Sequence, residues 1–392
     1  MSIKKRKDFL PYGLPYHDEA EINGVIDAIK SNWWSRGPKT TEFEGKFADL
    51  VGAKYALAVN SCTAALHLAL LAHGIGIGGE VITTPYTFCS TVNTIVHTGA
   101  SPVFADIDEN TGLIDPAEIE KKITSKTKAI IPVHYAGQAC DMDKINDIAA
   151  RHNLFVIEDA AHAVCTTYKG TPVGGGSNAV AFSFYATKNL STGEGGMLTS
   201  NDEEFINKAR IMSLHGMSRN AWNRYSKGGS WRYDVEYAGH KYNMTDIAAA
   251  LGLAQLDKLD GMQSLREEYA YIYSKAFEDL RGIEPLEISD MGRHAWHLYA
   301  IRIKSDKLDI DRDEFARLMT EDYNIGISVH FIPVHLHPFY VNNYGTCRGN
   351  YPKAEKLFDE ELSIPLYPAM TKDDVEYVAE AVKEIASQHA KR

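Results

Sequence analysis

Short apolar runs alternate with helix-period stretches through the first half of the chain, and this alternation restricts the fold more than any other feature. Tyr55–Val59, Glu80–Thr83, Pro102–Asp106, Lys128–Val133, Leu154–Ile157, Ala179–Phe182 and Met197–Ser200 each have the length and composition of a buried strand. Helical stretches fall between them, over 64–71, up to His97, over 141–152 and up to about 213. The order predicts an α/β fold, with a mostly parallel central sheet and helices on both faces. In such sheets ligands sit beyond the carboxyl ends of the strands. The residues that directly follow each run are therefore the first candidates for a site.

The stretch Phe182–Met197 carries the strongest chemical signal. It leaves an apolar run, sets Lys188 on a turn, and continues with Gly193, Gly195 and Gly196. Burial disfavours an ammonium ion, so a lysine held there becomes a better nucleophile and can form a Schiff base with a carbonyl. The glycines leave room for a flat ligand against the backbone. A solvated loop lysine is the competing reading. Asp159 follows the run Leu154–Ile157 and either caps a helix or faces a site. A carboxylate there suits the protonated ring nitrogen of a pyridine cofactor. Asn60–Thr63 joins a strand to a helix, and the free amides of a helix start favour phosphate. The same pattern also opens ordinary βα units. Phe88 stands between a strand end and a helix start. It reads either as core or as a flat wall over an aromatic ligand.

Residues 18–31 read as a first amphipathic helix, broken by the loop Trp33–Pro38, with a second helix near 41–51. Residues 215–242 have few apolar runs. Within them Trp222, Arg224, Tyr225, Trp231, Arg232 and Tyr233 can stack on a base and pair with a phosphate, or pack against a second subunit. Thr245 or Asn243 caps a helix that continues to about 279 and joins a large unit, 1–255, to a smaller α+β unit, 256–392. In the smaller unit His294–Ile303 and Ile327–Phe331 read as strands, and 311–322 and 372–388 as helices. His294, His297, His335 and His337 read as strand or loop histidines, because no carboxylate or cysteine joins them at metal-ligand spacing.

The 52 acidic and 41 basic residues give a net charge of −11, which argues against a nucleic-acid partner. There is no apolar run long enough to predict a membrane span. The five cysteines show no CxxC spacing and read as reduced cytoplasmic thiols.

Asn60–Leu66, Glu158–His162, Ser183–Lys188, Gly193–Gly196 and Tyr242–Asp246, in this order, resemble the motifs of the fold-type I pyridoxal-phosphate (PLP) enzymes. Among these they are most similar to the sugar aminotransferases of the DegT/StrS family, over essentially the whole chain. The resemblance implies that Lys188 binds PLP as a Schiff base and that Asp159 pairs with the pyridine nitrogen. It further implies that Phe88 stacks on the ring and that His162 lies by the ring hydroxyl. Thr63, Ala64 and Ser183 are expected at the phosphate, and Asn243 at the phosphate of the other subunit in a homodimer with shared sites. The expected catalytic residues are Lys188, Asp159 and His162. The expected substrate contacts are Trp222, Arg224, Tyr225, Trp231, Arg232 and His330. Ala221–Arg224 and His294–His297 look most like the branch that aminates UDP-4-keto-arabinose. The implied reaction is ping-pong transfer of an amino group from glutamate to a nucleotide-linked 4-keto sugar. Other readings meet obstacles in the residues. A PLP-dependent sugar dehydratase carries histidine in place of Lys188. A catalytically idle regulator is expected to lose Lys188 or Asp159. A nicotinamide enzyme needs a GxGxxG after its first strand.

Overall fold

The computed structural model describes residues 3–218 and 233–391. In chain order its strands begin with β1 (Tyr55–Val59), β2 (Glu80–Thr83), β3 (Ser101–Phe104), β4 (Thr127–Ile131) and β5 (Phe155–Asp159). A small ribbon of β6 (Thr167–Tyr168) and β7 (Thr171–Pro172) follows, then β8 (Ala179–Ser183) and β9 (Gly196–Ser200). Seven of these make one sheet in the order β1-β9-β8-β5-β4-β2-β3. Only β9 opposes its neighbours; the other pairings are parallel. The helices of this part are α1 (Glu19–Lys30), α2 (Pro38–Val51), α3 (Cys62–Ala72), α4 (Cys89–His97), α5 (Pro116–Lys122), α6 (Met142–His152) and α7 (Glu203–Met212). A long helix, α8 (Asp246–Phe277), leads out of it.

Alternate strand residues feed opposite faces of the sheet. Leu57, Val59, Ala179, Ala181 and Leu198 pack with residues of α3 and α7. Ala56, Ala58, Val180, Phe182 and Met197 pack with residues of α2 and the first half of α8. Because both faces are covered, the strands read as continuous apolar runs. The alternation also aims the residues around Lys188. Phe182 and Phe184 meet Phe43 and Phe47 of α2 edge-on, with ring centroids 5.0–5.3 Å apart. Each such pair contributes roughly 0.5–1.5 kcal/mol beyond its buried area. Ser183, between them, lines a cavity at the strand's end. The loop after β8 is tied at its base by Phe184 N donating to Gly195 O and Thr192 N donating to Phe184 O, both at 2.9 Å.

The remaining elements are β10 (Ile283–Pro285), β11 (Tyr299–Ile303), α9 (Arg312–Glu321), α10 (Pro338–Tyr344), α11 (Pro352–Glu360), β12 (Glu361–Ile364) and α12 (Lys372–Gln388). The three strands form a second sheet, β10-β11-β12. It shares a separate core with α9, α12 and the second half of α8. Leu10 enters this core and pairs with Ile325, so the N-terminal segment crosses to it. The 32 residues of α8 span about 48 Å at 1.5 Å per residue. The helix gives Leu253, Leu259 and Met262 to the first core and Tyr269, Tyr273 and Phe277 to the second.

Several sequence readings need correction. The run His294–Ile303 is a strand only from Tyr299, because the backbone before it bonds elsewhere: Ala295 N donates to Gly137 O (2.7 Å) and His297 N to Ala136 O (3.0 Å). Ile327–Phe331 is not a strand. Only Ser328 bridges Ser363, and β12 takes the place beside β11. Helix α2 begins at Pro38 rather than 41. Proline fits a first helical turn, and the turn is capped from far along the chain by Asp246. One Asp246 oxygen accepts from Gly37 N (2.7 Å) and Thr40 N (2.9 Å), the other from Lys39 N (3.0 Å). Of the two cap candidates for α8, Thr245 is the one that takes the Ala248 amide, at 3.2 Å.

Candidate active site

A cavity of about 500 Å³ opens at the carboxyl ends of the central strands. Thr63, Phe88, Asp159, His162, Ser183, Lys188 and His330 all line it. Ala64 does not. It is buried within the first turn of α3, where its amide donates to the Ser61 hydroxyl at 3.1 Å. Asn243 is also kept from this cavity: its Oδ1 accepts from Lys241 Nζ (2.6 Å) and its Nδ2 donates to Met244 O (3.1 Å). Trp222, Arg224, Tyr225, Trp231 and Arg232 lie outside the described residues.

The first turn of α3 sits at the end of β1. Ser61 caps it, and the amides of Cys62 and Thr63 have no upstream carbonyl to bind within the helix. They are available to an anion, and the helix dipole favours one. Strand β9 starts directly against this turn. A Cβ on Gly196 would lie 2.4 Å from the Ser61 carbonyl carbon and 2.6 Å from the Cys62 nitrogen, so only glycine allows the approach. Phe88, read as core or wall, is 59% exposed and stands at the cavity.

Asp159 ends β5 and is buried. Its Oδ1 accepts from Ala161 N (3.1 Å), and its Oδ2 accepts from the Thr91 hydroxyl (2.8 Å). Having donated to Asp159, Thr91 Oγ1 accepts from Thr87, also at 2.8 Å. The Cys62 thiol is 3.9 Å from Oδ1. Burial raises the carboxyl pKa above 3.8, opposed by Thr91, the Ala161 amide and the Lys188 charge. All its hydrogen-bond donors here are neutral, and a positive partner would further offset the cost of burying a carboxylate. A protonated pyridine nitrogen is such a partner. With the α3 turn for a phosphate and Phe88 for a ring face, the residues fit PLP.

Lys188 stands partly open to the cavity, with its amine surrounded by protein. Burial lowers its pKa from 10.5 to about 8, against the pull of Cys62 and Asp159. Nζ lies 3.3 Å from His297 Nε2. His162 Nδ1 accepts the Ala136 amide at 3.3 Å, so in the neutral ring Nε2 carries the hydrogen. Burial holds the His162 pKa well below 6.5, and the ring is neutral. His330 reaches through the Ser363 hydroxyl (2.9 Å) to the buried Glu361, whose pKa burial raises to about 8.

Sequence reasoning missed two contacts at the reacting groups. Thr91 is 68 residues from Asp159, and no spacing signals the pair. His297 was read as an ordinary strand histidine, yet it is the residue that touches Lys188. The cluster His294-Ala-Trp-His297 was the available signal, and a metal was the wrong question to put to it.

Residues 15–383 match the profile of the DegT/DnrJ/EryC1/StrS aminotransferase family. The chain is 56% identical to the spore coat polysaccharide biosynthesis protein SpsC of Bacillus subtilis, over 98% of this chain and 98% of the relative. Among solved structures it is similar to Spr1654 from Streptococcus pneumoniae in its PMP form, at 34% identity and a TM-score of 0.91, covering 97% of this chain and 99% of that one. The PLP form of the same protein aligns with a TM-score of 0.90. It is likewise similar to Helicobacter pylori PseC, an aminotransferase involved in pseudoaminic acid biosynthesis, at 29% identity and a TM-score of 0.90 over 97% of this chain and 100% of that one. The buried lysine and carboxylate at the strand ends, the fold and these relatives converge, and the chain belongs to the DegT/DnrJ/EryC1/StrS family as a fold-type I, PLP-dependent sugar aminotransferase.

Proposed function

We propose that this enzyme transfers an amino group from glutamate to the 4-keto group of a nucleotide-linked sugar, with UDP as the nucleotide, in a ping-pong cycle. The observation that carries the reading is the make-up of the cavity. A lysine with a depressed pKa and a buried carboxylate face it together with His162 and His330, which burial keeps neutral. Neutral imidazoles suit the hydroxyls of a sugar. Similarity to SpsC supports a product destined for a polysaccharide. The aromatic and arginine-rich tract 222–233 supports the nucleotide.

In this reading Thr63 and Ser183 hold the phosphate, Phe88 covers the ring, and His162 donates from Nε2 to the ring oxygen. Asp159 keeps the pyridine nitrogen protonated. Bound PLP supplies an extended π-system that takes the electron pair of a C–H bond beside nitrogen. With PLP bound, Lys188 Nζ would take the proton from that carbon and pass it to the cofactor, and in the second half of the cycle it would carry a proton from the cofactor to the sugar carbon. With its pKa near 8, a useful fraction of the amine is unprotonated at neutral pH; at 10.5 almost none would be.

The test is a substrate panel followed by 2-oxoglutarate release. A UDP-linked 4-keto sugar is expected to react with kcat/KM higher than the free keto sugar by on the order of 10² or more, since remote contacts hold the ketone in place. Equal rates would remove the nucleotide from the reading. Absence of 2-oxoglutarate would remove glutamate.

We also propose a homodimer with shared sites, in which Asn243 and the tract 222–233 serve the neighbouring subunit. Asn243 stands outside the cavity of its own chain, and Ile22, Ile26 and Ile29 of α1 and the adjoining Trp34 form an exposed apolar face. Lys188→Ala and Asn243→Asp are each expected to be inactive. Mixed under conditions that exchange subunits, they should recover about a quarter of wild-type activity, because half the dimers then carry one intact site. No recovery, with exchange confirmed by mass, would place Asn243 at its own chain's site. The division into units 1–255 and 256–392 is proposed on the separate second core, with α8 crossing the boundary. A cytoplasmic setting is proposed on the five unpaired cysteines. Among the described residues no helix is long and apolar enough to cross a membrane.

A further inference from the structure

His297 is the residue in hydrogen-bond contact with the Lys188 amine, and its own geometry fixes which of its nitrogens carries hydrogen. Its Nδ1 is 3.0 Å from Asn189 Oδ1. The Asn189 amide cannot be turned the other way, because its Nδ2 donates to Ala295 O at 2.7 Å. A carbonyl oxygen only accepts, so Nδ1 of His297 bears the hydrogen and Nε2 keeps a lone pair. That lone pair is 3.3 Å from Lys188 Nζ. Burial, reinforced by the charge of Lys188, pushes the His297 pKa well below 6.5, so the ring is neutral.

The surrounding backbone is built to hold this ring. His297 N and Leu298 N both donate to Ala136 O, at 3.0 and 3.2 Å. Gly137 lies opposite with φ +105°, where a Cβ would come within 3.1 Å of His297 N. Trp296, just before it, has φ +49°. A non-glycine residue in that region is strained and persists only where its surroundings enforce it. The His162 ring closes the other side, 4.3 Å from that of His297.

We propose that His297, locked by Asn189 as its Nδ1–H tautomer, is a further catalytic residue that accepts a hydrogen bond from Lys188 Nζ whenever the amine is free. One N–H is then committed to the wall, and the nitrogen lone pair is left for the substrate carbon. Cys62, Asp159, His162 and His330 are the other titratable groups acting on, or acted on by, the same amine. When Nζ takes up a proton the bond becomes charge-assisted and stronger, so His297 also steadies the protonated lysine. The proposal rests on Lys188 as the reacting amine and not on the identity of the sugar.

The experiment uses protein loaded with pyridoxamine phosphate, in which Lys188 carries no covalent bond. Acylation of Lys188 by acetic anhydride, read by peptide mass across pH, should have its midpoint near 8 in the wild type. His297→Phe removes the acceptor that favours the ammonium form, so the midpoint should fall by about one pH unit. Lys188 then becomes more reactive to the reagent at neutral pH, while the glutamate half-reaction, followed separately on the PLP-loaded protein, slows roughly 10²-fold for want of orientation. A purely structural role would not move these two readings in opposite directions. His297→Gln, whose carbonyl can accept, should restore the midpoint. Nitrogen-15 NMR of the wild type should show His297 protonated at Nδ1 and bare at Nε2. A ring protonated at Nε2, or a midpoint unchanged in His297→Phe, would overturn the proposal. The NMR reading needs no variant, and neither it nor the acylation involves a sugar, so a wrong substrate assignment leaves both standing.

Discussion

Lys188→Ala is expected to lower turnover by about 10⁴-fold or more, since it removes both the covalent attachment and the proton carrier. Nothing else described in the cavity replaces it. His162, His297 and His330 are all held far below 6.5 by burial, so as bases they are too weak, and Asp159 is spent on the pyridine nitrogen. The fold is expected to survive. The neighbouring structure is carried by Phe182 and Phe184 under α2, and the lysine itself projects into the cavity. Its removal also relieves an amine whose charge burial opposes. Urea unfolding should therefore shift by no more than about 0.5 kcal/mol. Borohydride treatment of the wild type should fix the cofactor on the peptide containing Lys188. A label on another lysine, or a variant with more than a hundredth of wild-type turnover, would displace Lys188 from its role.

The second large effect is expected from Asp159→Asn, a loss on the order of 10²–10³ in turnover, the range for removing a charge aligned with the reacting system. The change is nearly isosteric, and the local network can adapt. The carboxylate accepts at both oxygens, from Ala161 N and from Thr91. An asparagine can keep the first, and its amide can donate to Thr91, whose hydroxyl then turns to donate to Thr87. No buried group is left unpaired, so the protein should fold and retain cofactor through the phosphate site. The measurement is turnover beside the visible absorption of bound PLP. Full turnover would reduce Asp159 to a strand-end cap; loss of the absorption would mean that the residue chiefly holds the cofactor.

The parts of this molecule that were legible beforehand are those with local causes. β1 and β2 match their runs residue for residue, because a strand covered on both faces must be apolar throughout. Asp159 and Lys188 could be placed because each closely follows such a run, and the ends of parallel strands gather in one place whatever the loops do. The order of five motifs was enough to name the family, since a cofactor shared by many enzymes demands the same groups on the same strand ends.

What remained hidden depends on partners distant in sequence. The start of α2 is decided by Asp246, more than 200 residues away, which supplies the cap that Gly37 lacks. The strand read from His294 fails to begin there because Ala136 and Gly137 take its amides and Trp296 turns left-handed. That the Ala64 amide donates to the Ser61 hydroxyl is likewise not visible in the motif that places Ala64 near a phosphate. Thr91 reaches Asp159, and His297 reaches both Asn189 and Lys188, only once the chain has closed. Local propensity sets which segments are strands and helices and which residues stand at their ends. Hydrogen bonds made across the fold decide the boundaries, the tautomers and the charge states on which the chemistry turns, because each needs a partner whose position no stretch of sequence contains.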